Sequence, residues 1–304
     1  MKEHKASFSA MMTAYIRAYH AMHATPKIFD DFLAYRLIPQ EIRELIEQGL
    51  TRDKQFNDPE RTASFSDQTI TYASLMKATN VLSRARYTED ALERAVMQGV
   101  KQYVILGAGM DTFAFRRSEM MELLEVFEVD HPATQNFKLI RLAELGWEHP
   151  AQLHFIPIDF TKENLATALT RSSSYDPNVK SFFSWLGVTM YLTREEVSAT
   201  FRSITNIAPG GSEVVFDYLD MDAFIPEKSS PRMKQKREIF QKIGEPMITG
   251  YNPLTLAEYL KKLGLRLHGN LSPADIERLY FQGRTDDYHA QEHGHIAWAV
   301  VELP

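Results

Sequence analysis

Tyr103-Val-Ile-Leu-Gly-Ala-Gly-Met-Asp111 is the stretch whose reading decides the fold. An apolar run of strand length meets two glycines, and a helix-like segment, Thr112–Met121, follows. Glycine lets a backbone turn approach a ligand closely, and a helix start beyond it offers free N–H groups. The dinucleotide fingerprint Gly-x-Gly-x-x-Gly is incomplete, because its third glycine is Thr112. A ligand at Gly107, Ala108, Gly109 and Asp111, or a tight strand–helix turn without one, are both compatible with these residues.

Working outward, the same alternation repeats. Leu124–Asp130, Leu153–Asp159, Ser181–Val188 and Glu213–Tyr218 read as strands. Pro132–Leu145, Lys162–Leu169 and Arg194–Ile207 read as helices between them. Strands and helices alternating through short links predict an α/β fold with a parallel sheet covered on both faces. Residues 221–250, with three prolines and the basic run Lys234–Arg237, break the rhythm and read as an insertion with its own helix. Leu254–Leu263 is then a helix, and Leu265–Leu271 and His295–Glu302 are strands that pair as a final antiparallel hairpin. Upstream, residues 1–95 read as helical: Phe8, Met11, Met12, Tyr15, Ile16 and Tyr19 recur at spacings of three and four. Glu41–Leu50 reads as a short amphipathic helix ending at Gly49, and Thr88 as the N-cap of a helix running to Gly99. No linker divides the chain, so residues 1–304 are expected to form a single domain.

Three strand ends in a row carry Gly or Asp. Asp130, ending the second strand, can accept from both hydroxyls of a ribose or cap the next helix. Asp159-Phe160, ending the third, suits an adenine, with the carboxylate near the exocyclic amine and an aromatic wall beside the ring; Asp159 could equally cap a helix. Arg86 could hold an amino-acid carboxylate in a fork or be a solvated helix-end cation.

Composition narrows the classes. The chain has 304 residues, 44% hydrophobic and 24% charged, as expected of a globular protein. Its net charge of −6 argues against a general nucleic-acid binder. No cysteine is present, which excludes disulfides, thiolate metal sites and cysteine nucleophiles, and fits a cytoplasmic protein. No apolar run is long enough to span a membrane. Lys2 and Lys5 precede an apolar stretch, but Ser7, Ser9 and Thr13 dilute it and Arg17 and His20 interrupt it, so no signal peptide is expected. His289, His293 and His295 do not share a helical face, and no metal site is expected. His20 and His23 read as one face of an amphipathic helix, and Lys234–Arg237 as a solvated face.

Arg84-Ala-Arg-Tyr-Thr-Glu-Asp90, the run Gly99–Arg116 and Phe127-Glu-Val-Asp-His-Pro132 resemble the leucine carboxyl methyltransferase family. Within it they resemble the bacterial branch with the tetracenomycin polyketide synthesis O-methyltransferases; Phe155–Phe160 and Trp185–Leu192 extend the likeness. The resemblance implies a class I methyltransferase fold, a Rossmann-like sheet with an antiparallel last strand, under an N-terminal helical lid. It implies S-adenosylmethionine (SAM) as cofactor, with Gly107 at its turn, Asp130 on the ribose, Asp159 and Phe160 at the adenine and Arg86 on the methionine carboxylate. Family members that methylate a protein phosphatase carry Glu where this chain has Trp185-Leu186, so that substrate is not carried over. The acceptor is expected to be a small molecule or polyketide-like compound reached without nucleic acid or membrane, by a monomer or homodimer. A carboxylate acceptor is already ionised at neutral pH, whereas a phenol needs a base that no residue obviously supplies. Tyr15, Arg17, Tyr191 and Tyr218 are candidates for shaping the acceptor pocket. An NAD(P)-dependent oxidoreductase would share the glycine turn and Asp130 but lacks the third glycine and a Tyr-x-x-x-Lys pair. A non-catalytic SAM-binding protein is the other alternative.

Overall fold

A computed structural model describes residues 7–56, 77 and 79–302, with side chains left out of the description for 49–56. Among the described residues, the first helices are α1 (Phe8–His23), α2 (Ala34–Leu37), α3 (Gln40–Phe56) and α4 (Val81–Met97). Of the region expected to be helical, residues 1–6, 57–76 and 78 lie outside the described residues. Helix α3 continues beyond Gly49, where a stop was expected. Helix α4 begins seven residues before Thr88, which is instead a buried mid-helix residue facing inward; α4's entry residue is Asn80.

From β1 (Gln102–Leu106) onward strands and helices alternate as expected. Thr112–Met121 splits into two single turns, α5 (Phe113–Arg116) and α6 (Ser118–Met121), separated by Arg117. Then come β2 (Glu125–Asp130), α7 (Pro132–Glu144), β3 (Leu153–Pro157), α8 (Leu165–Thr170), β4 (Ser181–Trp185), α9 (Arg194–Ile207) and β5 (Glu213–Leu219). Helix α9 starts in a capping box in which Thr193 and Glu196 satisfy each other's backbone N–H groups. The 221–250 insertion holds a short 3-10 turn and α10 (Pro231–Lys242). The chain ends with α11 (Leu256–Lys261), β6 (Leu265–Leu271), α12 (Pro273–Ile276) and β7 (Gly294–Val301).

Among the described residues seven strands lie in the order β3-β2-β1-β4-β5-β7-β6, and only β7 runs opposite to the rest. The chain winds outward in both directions from β1, so the order reverses between β1 and β4. Ligands of such sheets bind at the carboxyl ends beside that reversal. Every residue of β1, β4 and β5 is buried, as a strand covered on both faces requires. Alternate residues serve opposite cores. Leu106, Phe127, Phe183, Trp185 and Phe216 pack against α8, α9 and α11. Tyr103, Ile105, Val126, Phe182 and Val215 pack against α4 and the turn after β1. Trp185 is wholly buried in the first core.

Phe201 sits on α9 between the rings of Trp185 and Phe216, with centroids at 5.2 and 5.0 Å. Phe201→Ala should cost about 3–5 kcal/mol in denaturant unfolding. Thr193→Ala, which removes only the exposed cap, should cost about 1 kcal/mol.

Candidate active site

The turn after β1 is fixed by the end of β2. The Gly107 and Ala108 amides donate to the Val129 carbonyl at 2.8 and 3.2 Å, and the Gly109 amide donates to Asp130 Oδ2. Gly107 has φ +72°, and a Cβ there would lie 2.3 Å from Val188 Cγ2, so both conformation and space demand glycine. Thr112, in place of the third fingerprint glycine, donates its hydroxyl to Asp31 Oδ1 at 2.7 Å. Asp31 is buried and also takes Arg17 Nε at 2.8 Å, while Arg17 Nη2 donates to the Met110 carbonyl at 2.8 Å. The N-terminal helices are thus bolted to the glycine turn through one carboxylate. Beneath it, buried Lys138 donates to the Asp111 carbonyl at 2.6 Å and to Glu128.

A cavity of about 810 Å³ opens over this turn and runs along the carboxyl edge of the sheet. Gly107, Ala108, Gly109, Asp111, Asp130, Asp159 and Phe160 all line it. Asp111 spends its carboxylate on the Phe113 amide at 2.7 Å. Asp130 accepts from Gly109 and, at 2.6 Å, from the His131 amide. It does not cap α7; His131 does, through Nδ1. A carboxylate has about four lone-pair sites, so two remain for a ligand. Burial, partly offset by these two amides and Lys138, pushes the Asp130 pKa up to about 6. Asp159 accepts from the Thr161 amide and hydroxyl at 3.0 and 2.7 Å, and Asn164, not Asp159, caps α8. Burial pushes Asp159 up, but the Thr161 donors, Lys162 and His131 outweigh it and hold the carboxyl below its ordinary range. Phe160 leans on Trp185, ring to ring at 6.3 Å.

Arg86 requires a correction. It lies outside the cavity, its side chain 51% exposed and paired with Asp90 one helical turn on. Two positions on a helix correspond to a rotation of about 200°, so Arg84 faces the opposite way, into the cavity. Arg84 Nη1 donates to Asp217 Oδ2 at 2.6 Å, and Asp217 Oδ1 accepts the Gly187 amide at 2.5 Å. A Cβ on Gly187 would lie 2.6 Å from Arg84 Nη2, so this glycine makes room for the guanidinium. Tyr15 also misses the cavity: it is buried, with its hydroxyl on Glu47 at 3.3 Å, whereas Arg17, Tyr191 and Tyr218 line the cavity.

A second correction concerns Lys234–Arg237. Lys236 points into the cavity and donates to Gln291 Oε1 at 2.6 Å, and Arg237 stacks on Phe224 and donates to the Ala223 carbonyl. His293 and His295 both face Asp220, at 2.9 and 3.6 Å, and His289 bonds elsewhere. His20 is not a surface residue: it is buried, accepts the Ile28 amide at 2.7 Å and has its pKa lowered to about 4 by burial and Arg284.

A family model, leucine carboxyl methyltransferase, matches residues 10–205, which include the glycine turn, the three strand ends and Arg84. The chain belongs to the leucine carboxyl methyltransferase family. A Bacillus subtilis protein named as the S-adenosyl-L-methionine-dependent methyltransferase YktD is 37% identical over 99% of both chains. A Mycobacteroides abscessus protein named for the same cofactor is 34% identical over 52% of this chain and 50% of its own. In fold, the chain is similar to a crystal structure of a DUF574 family protein from Streptomyces avermitilis, with TM-score 0.57 and 14% identity over 98% of each chain. A Thermobifida fusca structure described as a methyltransferase gives TM-score 0.56 and 12% identity over 98% of this chain and 96% of its own. The class I methyltransferase fold implied by the resemblance is therefore the fold of this family member.

Sequence reasoning missed Arg84, Asp217, Asp31 and Lys236. The helix register of Leu82, Ala91, Leu92 and Ala95, all buried, could have placed Arg84 inward; nothing local marks the other three. Removing Arg84 would leave buried Asp217 without its cation, so Arg84→Ala should cost about 3–5 kcal/mol in urea unfolding. Arg86→Ala should stay within about 0.5 kcal/mol of the unaltered protein.

Proposed function

We propose that the chain is an S-adenosylmethionine-dependent O-methyltransferase acting on a small acidic molecule. One observation carries the cofactor assignment: a half-buried carboxylate, Asp130, stands at the end of β2 beside the glycine turn with acceptor capacity to spare. A ribose diol supplies two donors for it. The cavity around it fits the rest of such a nucleoside. Asp159 and Phe160 lie at the β3 end for the base, and the N–H groups of Arg84 left over from Asp217 suit an amino-acid carboxylate. Thr88 is also among the lining residues, and its Oγ1 is buried without a hydrogen-bond partner.

A dinucleotide fits less well. The helix after the glycine turn is a single turn, Phe113–Arg116, too short to build the dipole that holds a pyrophosphate. SAM carries no phosphate, and when bound it supplies an activated methyl group on a cationic sulfur. The chain's own residues then have three tasks: to hold the nucleoside, to orient the acceptor oxygen and to exclude water. Helices α1 and α4 supply Phe8, Met12, Ile16 and Arg84 to the cavity wall, so we assign the helical N-terminal region the role of lid. Its opening edge is pinned by Glu245 of the insertion, whose carboxylate accepts the Phe8 and Ser9 amides at 3.1 and 3.2 Å. A carboxylate acceptor is already ionised at neutral pH and needs no general base, which favours it over a phenol. Among the described residues no helix is long and apolar enough to cross a membrane. With no cysteine in the chain, we place the reaction in the cytoplasm.

Calorimetry with S-adenosylhomocysteine (SAH), SAM, NAD and NADP tests the assignment. The adenosyl sulfur ligands should bind and the dinucleotides should not; the reverse would overturn it. Asp130→Asn should weaken SAH about 10- to 100-fold, the worth of charged hydrogen bonds. The pKa of Asp130, raised to about 6, makes the carboxylate form dominant above that pH. Ribose donors prefer that form, so SAH affinity should hold above pH 7 and fall about tenfold by pH 5. In Asp130→Asn that fall should vanish.

A further inference from the structure

The cavity is longer than a nucleoside needs. With the base at β3 and the ribose at β2, the cofactor's sulfur end comes to the β1–β4 reversal. Two more strands, β5 and β7, extend the edge beyond it, each about 4.8 Å further on. This far end is roofed by α10 of the insertion. Met190, Leu219, Ile239, Phe240 and Met247 make it apolar. Among the described residues, Lys236 brings an ammonium group to this lining.

Resting on the methyltransferase reading above, we propose that Lys236 holds the carboxylate of the methyl acceptor, an apolar carboxylic acid whose body lies along α10 in the far end of the cavity. The charges around Lys236 support this. Arg84, on α4, is neutralised by Asp217 on β5 at 2.6 Å. Glu292, in the segment before β7, pairs with Arg232 at 2.8 Å. The carboxylate of Glu245 is taken up by the two amides at the start of α1. Among the described residues, Lys236, a lining residue of the cavity, has only the neutral Gln291 as hydrogen-bond partner, so two of its three donors are left for a ligand. Burial, then the nearby Arg84, lowers its pKa to about 8 against the opposing pull of Asp217 and Glu292. An anionic ligand would reverse that loss.

The chemistry balances without a base. One carboxylate oxygen rests on Lys236 and the other attacks the methyl carbon. The new O–CH3 bond forms as the CH3–S bond breaks, and its electron pair returns to sulfur, leaving a neutral thioether. No proton moves. The ester product has lost the charge that Lys236 holds, so product should leave more readily than substrate binds.

Calorimetry on the full chain saturated with SAH tests this with decanoate and 3-phenylpropionate as probes, and their methyl esters as charge-free partners. At pH 7 at least one acid should bind at least tenfold tighter than its ester, and the advantage should fade above pH 8. Lys236→Gln should remove that advantage while leaving ester and SAH affinities unchanged. Lys236→Arg should restore part of it, and Lys234→Gln, on the exposed side of the same helix, should change nothing. Neither acid binding, equal acid affinity in Lys236→Gln, or a loss of SAH rather than acid binding would each overturn the proposal. So would phenols accepting methyl at a rate that rises through pH 8 and is lost in Lys236→Gln, which would make Lys236 a base. Failure of SAH itself to bind would instead remove the reading on which the proposal rests.

Discussion

The end of β2 holds the turn after β1, and the rest of the site depends on that contact. Three successive amides, from Gly107 to Gly109, are accepted by the Val129 carbonyl and the Asp130 carboxylate. A loop so anchored cannot move without breaking hydrogen bonds inside a buried sheet, where an unpaired polar group costs about 1–3 kcal/mol. Pre-organisation of this kind matters for methyl transfer, in which the protein aligns two reactants and contributes little covalent chemistry. The same carboxylate that fixes the loop keeps two lone-pair positions for a ligand, so scaffold and site share one residue.

The turn also organises what covers it. Asp31 joins Arg17 of α1, Thr112 and the first amide of α2, and Arg17 reaches the Met110 carbonyl. Thr112 thereby gives the third fingerprint position a different use: a glycine there would pack a long helix on the sheet, whereas the threonine hydroxyl tethers the helices above. At the opposite end of the cavity, Glu245 ties α1 to the insertion. The cover is thus attached at both ends through side-chain carboxylates, and the apolar far end lies beneath the second attachment.

The sheet was readable because its signal is local. Strand length, β-branched content and the glycine turn are written in consecutive residues, and all seven strands fall within a few positions of where the sequence places them. The strand-end residues Asp130, Asp159 and Phe160 were equally legible, since a parallel sheet sends every carboxyl end to one edge. Side-chain direction on helices was not. Arg84 and Arg86 differ by two positions in an amphipathic stretch, and only the buried face of α4 tells them apart. Lys236 looked like one charge in a solvated run because the insertion's fold over the cavity depends on distant partners, Leu219 and Met190 among them. The break at Arg117 was hidden for a similar reason: that side chain reaches Glu89 and Glu93 on α4, and long-range ion pairs leave no trace in local periodicity.

A crystal structure with S-adenosylhomocysteine bound tests the central claim most directly. The account predicts both ribose hydroxyls on the Asp130 carboxylate, the adenine beside Asp159 and Phe160, and the glycine turn unmoved. A nucleoside lying in the opposite sense along the sheet edge, or out of hydrogen-bond reach of Asp130, would contradict it.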